Sequence, residues 1–278
     1  MAAFEIRPRR ATELVDAAFQ LMRRFYPVLV TVSAVAQAPG VFMRILFRKE
    51  LSDPTALMVN RGPAITAVVV SVLCIAIADA VLIVAASDGY LEGTVDLSRA
   101  LSVSASRIVS VLVAVFLRYL SIGIVGGVMS ILFVVVTLTH LSALLILVVP
   151  FVIWLAMWVA LRTFAVTAAV VIDGRGPIGA LDRTWQLSKS CTAHIFFSLG
   201  LTWLLYFVIA GVATGVGAVF LSSSLTAILS ALLIIPIYPL LAVVSTLLYY
   251  DLRIRKEGFD LEVMSRELGA PQAPLPAA

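Results

Sequence analysis

Between Ile108 and Ile172 the chain reads IVSVLVAVFLRYLSIGIVGGVMSILFVVVTLTHLSALLILVVPFVIWLAMWVALRTFAVTAAVVI, where the only acidic or basic side chains are Arg118, His140 and Arg162. A helix crosses the hydrocarbon core of a bilayer with about 20 apolar residues, so this stretch is too long for one span. The polar turn Thr137-Leu138-Thr139-His140-Leu141-Ser142 divides it into two long helices. Working outward, Tyr26 to Phe47 and Ala64 to Ala86 supply two spans before it. Ile195 to Leu221 and Leu225 to Tyr250, split by Ser222-Ser223-Ser224, supply two after it, giving six in all. Pro39, Pro150, Pro236 and Pro239 fall inside these spans and are expected to kink them, which neighbouring helices tolerate.

The composition agrees. Of 278 residues, 62% are hydrophobic and 13% charged, and the mean hydropathy is +1.08. A water-soluble domain runs near half apolar and about a quarter charged. These proportions exclude a soluble, disordered or coiled-coil chain and indicate an all-α polytopic transmembrane bundle. The net charge of +4 and pI near 9.3 do not point to nucleic acid, because the basic residues sit beside apolar spans, where they orient the chain and meet anionic lipid. Cys74 and Cys191 give no disulfide framework and read as small packing residues. About two dozen polar or amphipathic residues precede the first apolar stretch, too many for the n-region of a cleavable signal peptide.

Positive charge sets the orientation. With both termini cytoplasmic, Arg44, Arg48, Lys49 and Arg61 lie outside, Arg118 and Arg162 lie within spans, and the other fourteen of the twenty basic residues lie inside. The bias predicts that both ends face inward.

Each odd-numbered span follows a short amphipathic stretch. In the first, Leu14, Ala18, Leu21 and Phe25 recur at helical spacing. In the third, Pro177 opens a helix with Ile178, Leu181 and Trp185 as its apolar stripe. The middle copy, Leu97 to Arg107, is rich in serine. Such helices lie in the headgroup plane, apolar side down. Phe19-Gln20-Leu21-Met22-Arg23 aligns with Trp185-Gln186-Leu187-Ser188-Lys189, and Leu101 takes the Phe19 place, at steps of 82 and 84 residues. Asp88-Gly89, Asp173-Gly174 and Asp251 each close an even-numbered span. The chain therefore reads as one integral membrane domain over residues 1–268, in three parallel repeats at about 9–89, 95–174 and 176–252. A disordered Pro/Ala-rich tail over 269–278 follows it.

Arg9-Arg10-Ala11-Thr12-Glu13-Leu14-Val15-Asp16-Ala17-Ala18-Phe19-Gln20-Leu21 resembles the opening of bacterial proteins classed with the glycerophosphodiester phosphodiesterase membrane domain. Asp173-Gly174, Ala180-Leu181 and Trp185-Gln186-Leu187 look like that family's central cytoplasmic loop. The segment from Tyr249 to Leu261, YYDLRIRKEGFDL, is similar to its closing segment. The resemblance covers residues 7 to 265 through short strings. It implies a six-span accessory membrane module, which in some members is fused to a soluble catalytic barrel. Only about 28 residues follow the last span here, far below the size of a domain.

Glycerophosphodiester hydrolysis needs histidines and clustered carboxylates around a metal. His140 falls at an outer turn and His194 at an inner edge, so they cannot share a site. No span carries metal-ligand spacing, and neither a cofactor nor a metal is expected. The expectation is a protein that is not an enzyme.

Two groups of residues carry the functional expectations. Asp79, Arg118 and Arg162 lie within spans. Counting 1.5 Å per residue from Asp88, Arg107 and Asp173 places them near mid-membrane, where such charges face the bundle interior and pair. They form either an internal polar site for an anionic group or a salt bridge that sets helix register. Asp79 can neutralise only one of the two arginines. On the inner face, Arg9, Arg10, Arg23, Arg24, Arg183, Lys189, Arg253, Arg255 and Lys256 form a basic collar, read either as an anionic-lipid contact or as plain positive-inside orientation. Gly211, Gly215 and Gly217, with Gly123, Gly126 and Gly127, suit close helix packing within the bundle, and secondarily a homo-oligomer. The leading expectation is a non-catalytic scaffold or regulatory module whose partners are lipids and a membrane or cytoplasmic protein. The alternative is a transporter or channel for a small, anionic solute or lipid, with its site between the hairpins.

Overall fold

The computed structural model describes residues 7–47, 61–138, 145–220 and 235–267, together with Leu225, Leu229, Leu232 and Leu233. Among the described residues every regular element is a helix: α1 Ala11–Arg24, α2 Tyr26–Leu46, α3 Gly62–Leu91, α4 Leu97–Ser106, α5 Ile108–Leu138, α6 Leu145–Arg162, α7 Val166–Val171, α8 Pro177–Ser188, α9 Thr192–Phe220, α10 Tyr238–Glu257 and α11 Phe259–Glu267. Five apolar stretches are long enough to cross a membrane: Tyr26–Met43, Gly62–Leu91, Ile108–Val136, Val148–Val171 and Thr192–Gly217. The chain is thus an all-helical protein with the helices of a multi-pass membrane protein. Of the sixth apolar segment, only the part from Ile235 onward is described continuously. The turn at Thr139 to Ser142 with His140, the basic residues Arg48 and Lys49, the serines 222–224 and the tail 269–278 lie outside the described residues.

The prolines divide into two kinds. Pro39 and Pro150 sit inside α2 and α6, which continue through them. Pro239 stands in the first turn of α10, and Pro236 in the turn before it, so neither interrupts that helix. Proline lacks an N–H, which the first turn leaves without an intrahelical partner in any case.

Burial is concentrated at one end. The carboxyl half of α3, Ala76-Ile77-Ala78-Asp79-Ala80-Val81-Leu82-Ile83-Val84-Ala85-Ala86, is buried almost continuously, as is all of α7. Small alanines let helices approach closely where lipid supplies no hydrophobic drive for association. The core joins these segments to Leu240, Val243, Val244, Leu247 and Leu248 of α10. The opposite ends expose Ile124, Val128, Ile131 and Phe133 of α5 and Val212, Val216 and Val219 of α9, apolar surface suited to lipid and not to water.

The three amphipathic helices form, as α1, α4 and α8, but their apolar faces are shared between protein and exterior. In α1, Leu14, Val15, Ala17, Ala18, Leu21 and Met22 are buried against α9 and α10, while Phe19 is exposed. In α8 the buried face is Ala180, Thr184, Leu187 and Ser188, and Ile178 faces outward. The most buried end of the bundle is therefore capped by these helices.

Candidate functional site

The three intramembrane charges do not converge. Asp79 of α3 accepts a hydrogen bond from the phenol of Tyr238 in α10, and it makes no ion pair at contact distance among the described residues. Arg118 of α5 lies within electrostatic reach of Asp79. Its buried Nε has no hydrogen-bond partner among the described residues.

Arg162 stands elsewhere. Helix α6 stops at this residue, and Thr163, Phe164 and Ala165 form a turn before α7 begins. The Thr163 hydroxyl donates back to the Val159 carbonyl. The count of 1.5 Å per residue back from Asp173 assumes one continuous helix, which this turn interrupts. Its guanidinium meets α8 instead, donating to the Trp185 carbonyl at 3.4 Å and facing the rings of Trp158 and Trp185.

The polar groups that do converge are the carboxylates ending the apolar hairpins. Asp173 accepts from the Tyr249 hydroxyl at 2.6 Å, Arg183 Nε at 3.0 Å and an Arg253 terminal nitrogen at 3.4 Å. Arg183 also grips Glu257 with both terminal nitrogens, and Arg253 lies over Phe259. Asp251 accepts from the Arg9 backbone N–H at 2.7 Å and from Arg255 Nε at 2.6 Å, and it is bonded to His194 Nε2 at 2.9 Å. One carboxylate thus ties together the segment before α1, the start of α9 and the end of α10. At the first hairpin, Arg99 of α4 pairs with Asp88 at 3.3 Å and Glu92 at 2.7 Å, while Asp96 caps α4.

Electrostatics follow this geometry. Burial favours the neutral form of Asp251, but the bonds from His194, Arg255 and the Arg9 N–H outweigh it and hold the carboxyl below the usual carboxylate range. Burial likewise opposes the charge on Arg183, yet its bonds to Glu257 raise its affinity for the proton.

Two further contacts lock this end of the bundle. Arg107, just before α5, donates to the carbonyls of Val170 and Val171 at 3.1 and 2.7 Å, satisfying the last turn of α7. Gly174 sits against that guanidinium with φ of +70°, a left-handed conformation that side chains with a Cβ resist.

The expected collar therefore separates into two sets. Arg183, Arg253 and Arg255 are engaged with carboxylates, and Arg9 lies over the Tyr90 ring. Arg10, Arg23, Arg24, Lys189 and Lys256 are exposed. Tyr249 and Tyr250, which suit interfacial anchors by sequence, are fully buried, with Tyr250 bonded to Ser87 at 2.7 Å. A Cβ added at Gly123, Gly126, Gly127, Gly211 or Gly215 would meet nothing within 4 Å, so these glycines do not serve packing among the described residues. Among those residues no group of three His, Cys, Asp or Glu side chains is placed to hold a metal.

Two open grooves lie on the surface of the described residues. One, of about 580 Å³, lies at the elbow of α1 and α2 beside Phe19, Met22, Arg23 and Tyr26. The other, of about 250 Å³, runs between α6 and α9. No family model, curated protein or solved structure matches the chain.

Proposed function

We propose that this chain is a non-catalytic accessory membrane module, with six spans and both termini at the cytoplasmic face of a bacterial cell membrane, where it scaffolds or regulates a protein partner. The reading draws on the resemblance of its opening, central and closing segments to the glycerophosphodiester phosphodiesterase membrane domain. The observation that carries it is the linkage at Asp251, which unites the segment before α1 with α9 and α10. Several elements cross-linked through one buried carboxylate make a rigid platform, whereas a transport pathway needs elements that move.

The proposed threefold repeat is supported by the same kind of contact recurring at each hairpin. Asp88 binds Arg99 of the amphipathic helix that follows, and Asp173 binds Arg183 of the next. Asp251 receives the backbone N–H of Arg9, at the threshold of α1. The third unit thus hands its carboxylate to the first, as a closed ring of three would require. Exposed Arg10, Arg23, Arg24, Lys189 and Lys256 are the members of the collar best placed to meet anionic headgroups.

The alternative, a transporter or channel, is favoured by one observation: Arg118 keeps a buried donor unused close to Asp79. Reconstitution separates the two. Liposomes holding only this chain are expected to pass no chloride, phosphate or small carboxylate, and photo-crosslinkers at Lys189 and Lys256 to yield one discrete heteromeric product. Saturable anion flux by the chain alone, lost in Arg118→Gln, would overturn the accessory-module reading.

A further inference from the structure

Helix α6 ends on a cation held by aromatic rings. The Arg162 guanidinium carbon lies 5.2 Å from the Trp158 ring centre and 5.5 Å from that of Trp185. The two rings themselves meet edge to face at 5.0 Å. Among the described residues Arg162 forms no carboxylate pair, its one hydrogen bond is the 3.4 Å contact to the Trp185 carbonyl, and its buried Nε has no partner. A guanidinium carries five N–H donors in a fixed fork that matches phosphate. Most of them are unspent here, while the rings fix the fork in place.

Trp158 also belongs to the groove of about 250 Å³ between α6 and α9. One wall is Trp154, Met157, Trp158 and Leu161, and the other is Phe196 and Phe197. Trp154 and Phe197 are more than half exposed on the outside of the bundle, so the groove opens where lipid chains lie. At one end it is lined by Thr192 and Ala193, the first turn of α9, whose N–H groups and dipole favour negative charge. Among the described residues no carboxylate lines the groove to receive an ammonium headgroup. His194, one residue further, is bonded to Asp251. Basic pockets between helices on the cytoplasmic side select anionic headgroups.

We propose that Arg162, Trp158, Trp185 and the α6–α9 groove form a binding site for an anionic phospholipid of the inner leaflet, its phosphate at the guanidinium and an acyl chain along the aromatic walls. This assignment is independent of the accessory-module reading, since a scaffold and a transporter could each hold such a lipid. It takes Arg162 out of the intramembrane charge group and gives it a separate task.

The test is tryptophan quenching in liposomes by lipids brominated on their acyl chains. The full chain carries Trp203→Phe, which leaves Trp154, Trp158 and Trp185 as reporters at the site. Brominated phosphatidylglycerol is expected to be preferred over brominated phosphatidylcholine by about fivefold, the worth of one arginine near an anionic surface. Arg162→Gln should abolish the preference, Arg162→Lys should keep part of it, and Arg61→Gln, which removes an exposed cation outside the collar, should leave it unchanged. Ala193→Phe, which fills the groove and spares the cation, should also abolish it, covering the case in which Arg162→Gln fails to fold. Equal quenching by the two lipids, or a preference that survives either Arg162→Gln or Ala193→Phe, would overturn the proposal. So would removal of the preference by inorganic phosphate at constant ionic strength, which would assign the site to the free anion.

Discussion

Asp251 and Asp79 are the same residue type on adjacent helices, yet they are treated in opposite ways. Asp251, towards the carboxyl end of α10, is almost completely buried and receives three donors from three segments. Asp79, in the middle of α3, receives one phenol, and Arg118 beside it keeps its Nε unpartnered among the described residues. A buried charge costs several kcal/mol unless its lone pairs are filled, and the water that would fill them is scarcer at depth. The difference indicates that the described helices are fastened most firmly at the end that carries Asp251.

The contrast can be broken most directly at Asp251. Replacing it with Ala leaves the Arg255 guanidinium, His194 and the Arg9 N–H without their acceptor. Removing one partner of a buried ionic cluster typically costs about 3–5 kcal/mol, and the expected result is a large drop in thermal midpoint in detergent. The amino-terminal segment and the start of α9 should loosen together, with faster hydrogen exchange around residues 9–14 and 192–196. If only α10 responds, Asp251 is not the linchpin of the three segments.

A smaller effect is expected in the middle of the membrane. Asp79→Asn keeps an acceptor for Tyr238, so it should cost only about 1–2 kcal/mol, the scale of one weakened charged hydrogen bond. The informative measurement is the double change. Arg118→Gln should offset much of the loss in Asp79→Asn, because the two charges then disappear together. Arg162→Gln should add to the loss independently, since that side chain binds α8 and not Asp79. Rescue by Arg162→Gln instead would restore the pairing expected from sequence and dissolve the contrast drawn here.

Gly174→Ala probes the inner fastening through the backbone. The residue has φ of +70°, and an added Cβ would lie 3.2 Å from the Arg107 guanidinium. The conformational penalty alone is about 1–2 kcal/mol. Gly123→Ala, on an open face of α5, should cost nothing or stabilise slightly through helix propensity. Equal midpoints for the two variants would show that the inner end is no tighter than the outer.

How far these features are legible in the sequence depends on which physical signal encodes them. Helix length and apolar content are local sums, so α2, α3, α5 and α9 fall close to the spans read from hydropathy. Asp173-Gly174 is legible as the end of a span because a carboxylate and a left-handed glycine both oppose continuing it. The position of Arg162 is not, because α6 breaks at Thr163–Ala165 without proline or glycine, and the depth count assumes an unbroken helix. Sequence separates the collar only in part: Arg253–Glu257 and Arg255–Asp251 stand four residues apart on one helix and are legible as pairs. The engagement of Arg183, and of Arg253 with Asp173, depends on the three-dimensional approach of separate elements. Tyr249 and Tyr250 mislead for a related reason: a tyrosine beside the headgroups and one sealed under amphipathic helices have the same flanking residues.

The mildest expected effect is on acid stability, and its sign is set by Asp251. In the unfolded chain its carboxyl titrates near about 3.9. In the folded protein burial pushes that value up, but His194, Arg255 and the Arg9 N–H push it down further, so the net displacement is downward. The contribution is therefore fully present above the unfolded value and is lost as pH falls through the lower folded value. Thermal midpoints of the unaltered protein should decline across this acid window, while those of Asp251→Asn, already lowered, should decline less. Parallel curves would mean that the acid sensitivity does not come from Asp251, and that the carboxylate reaching back to the segment before α1 does not set stability in this window.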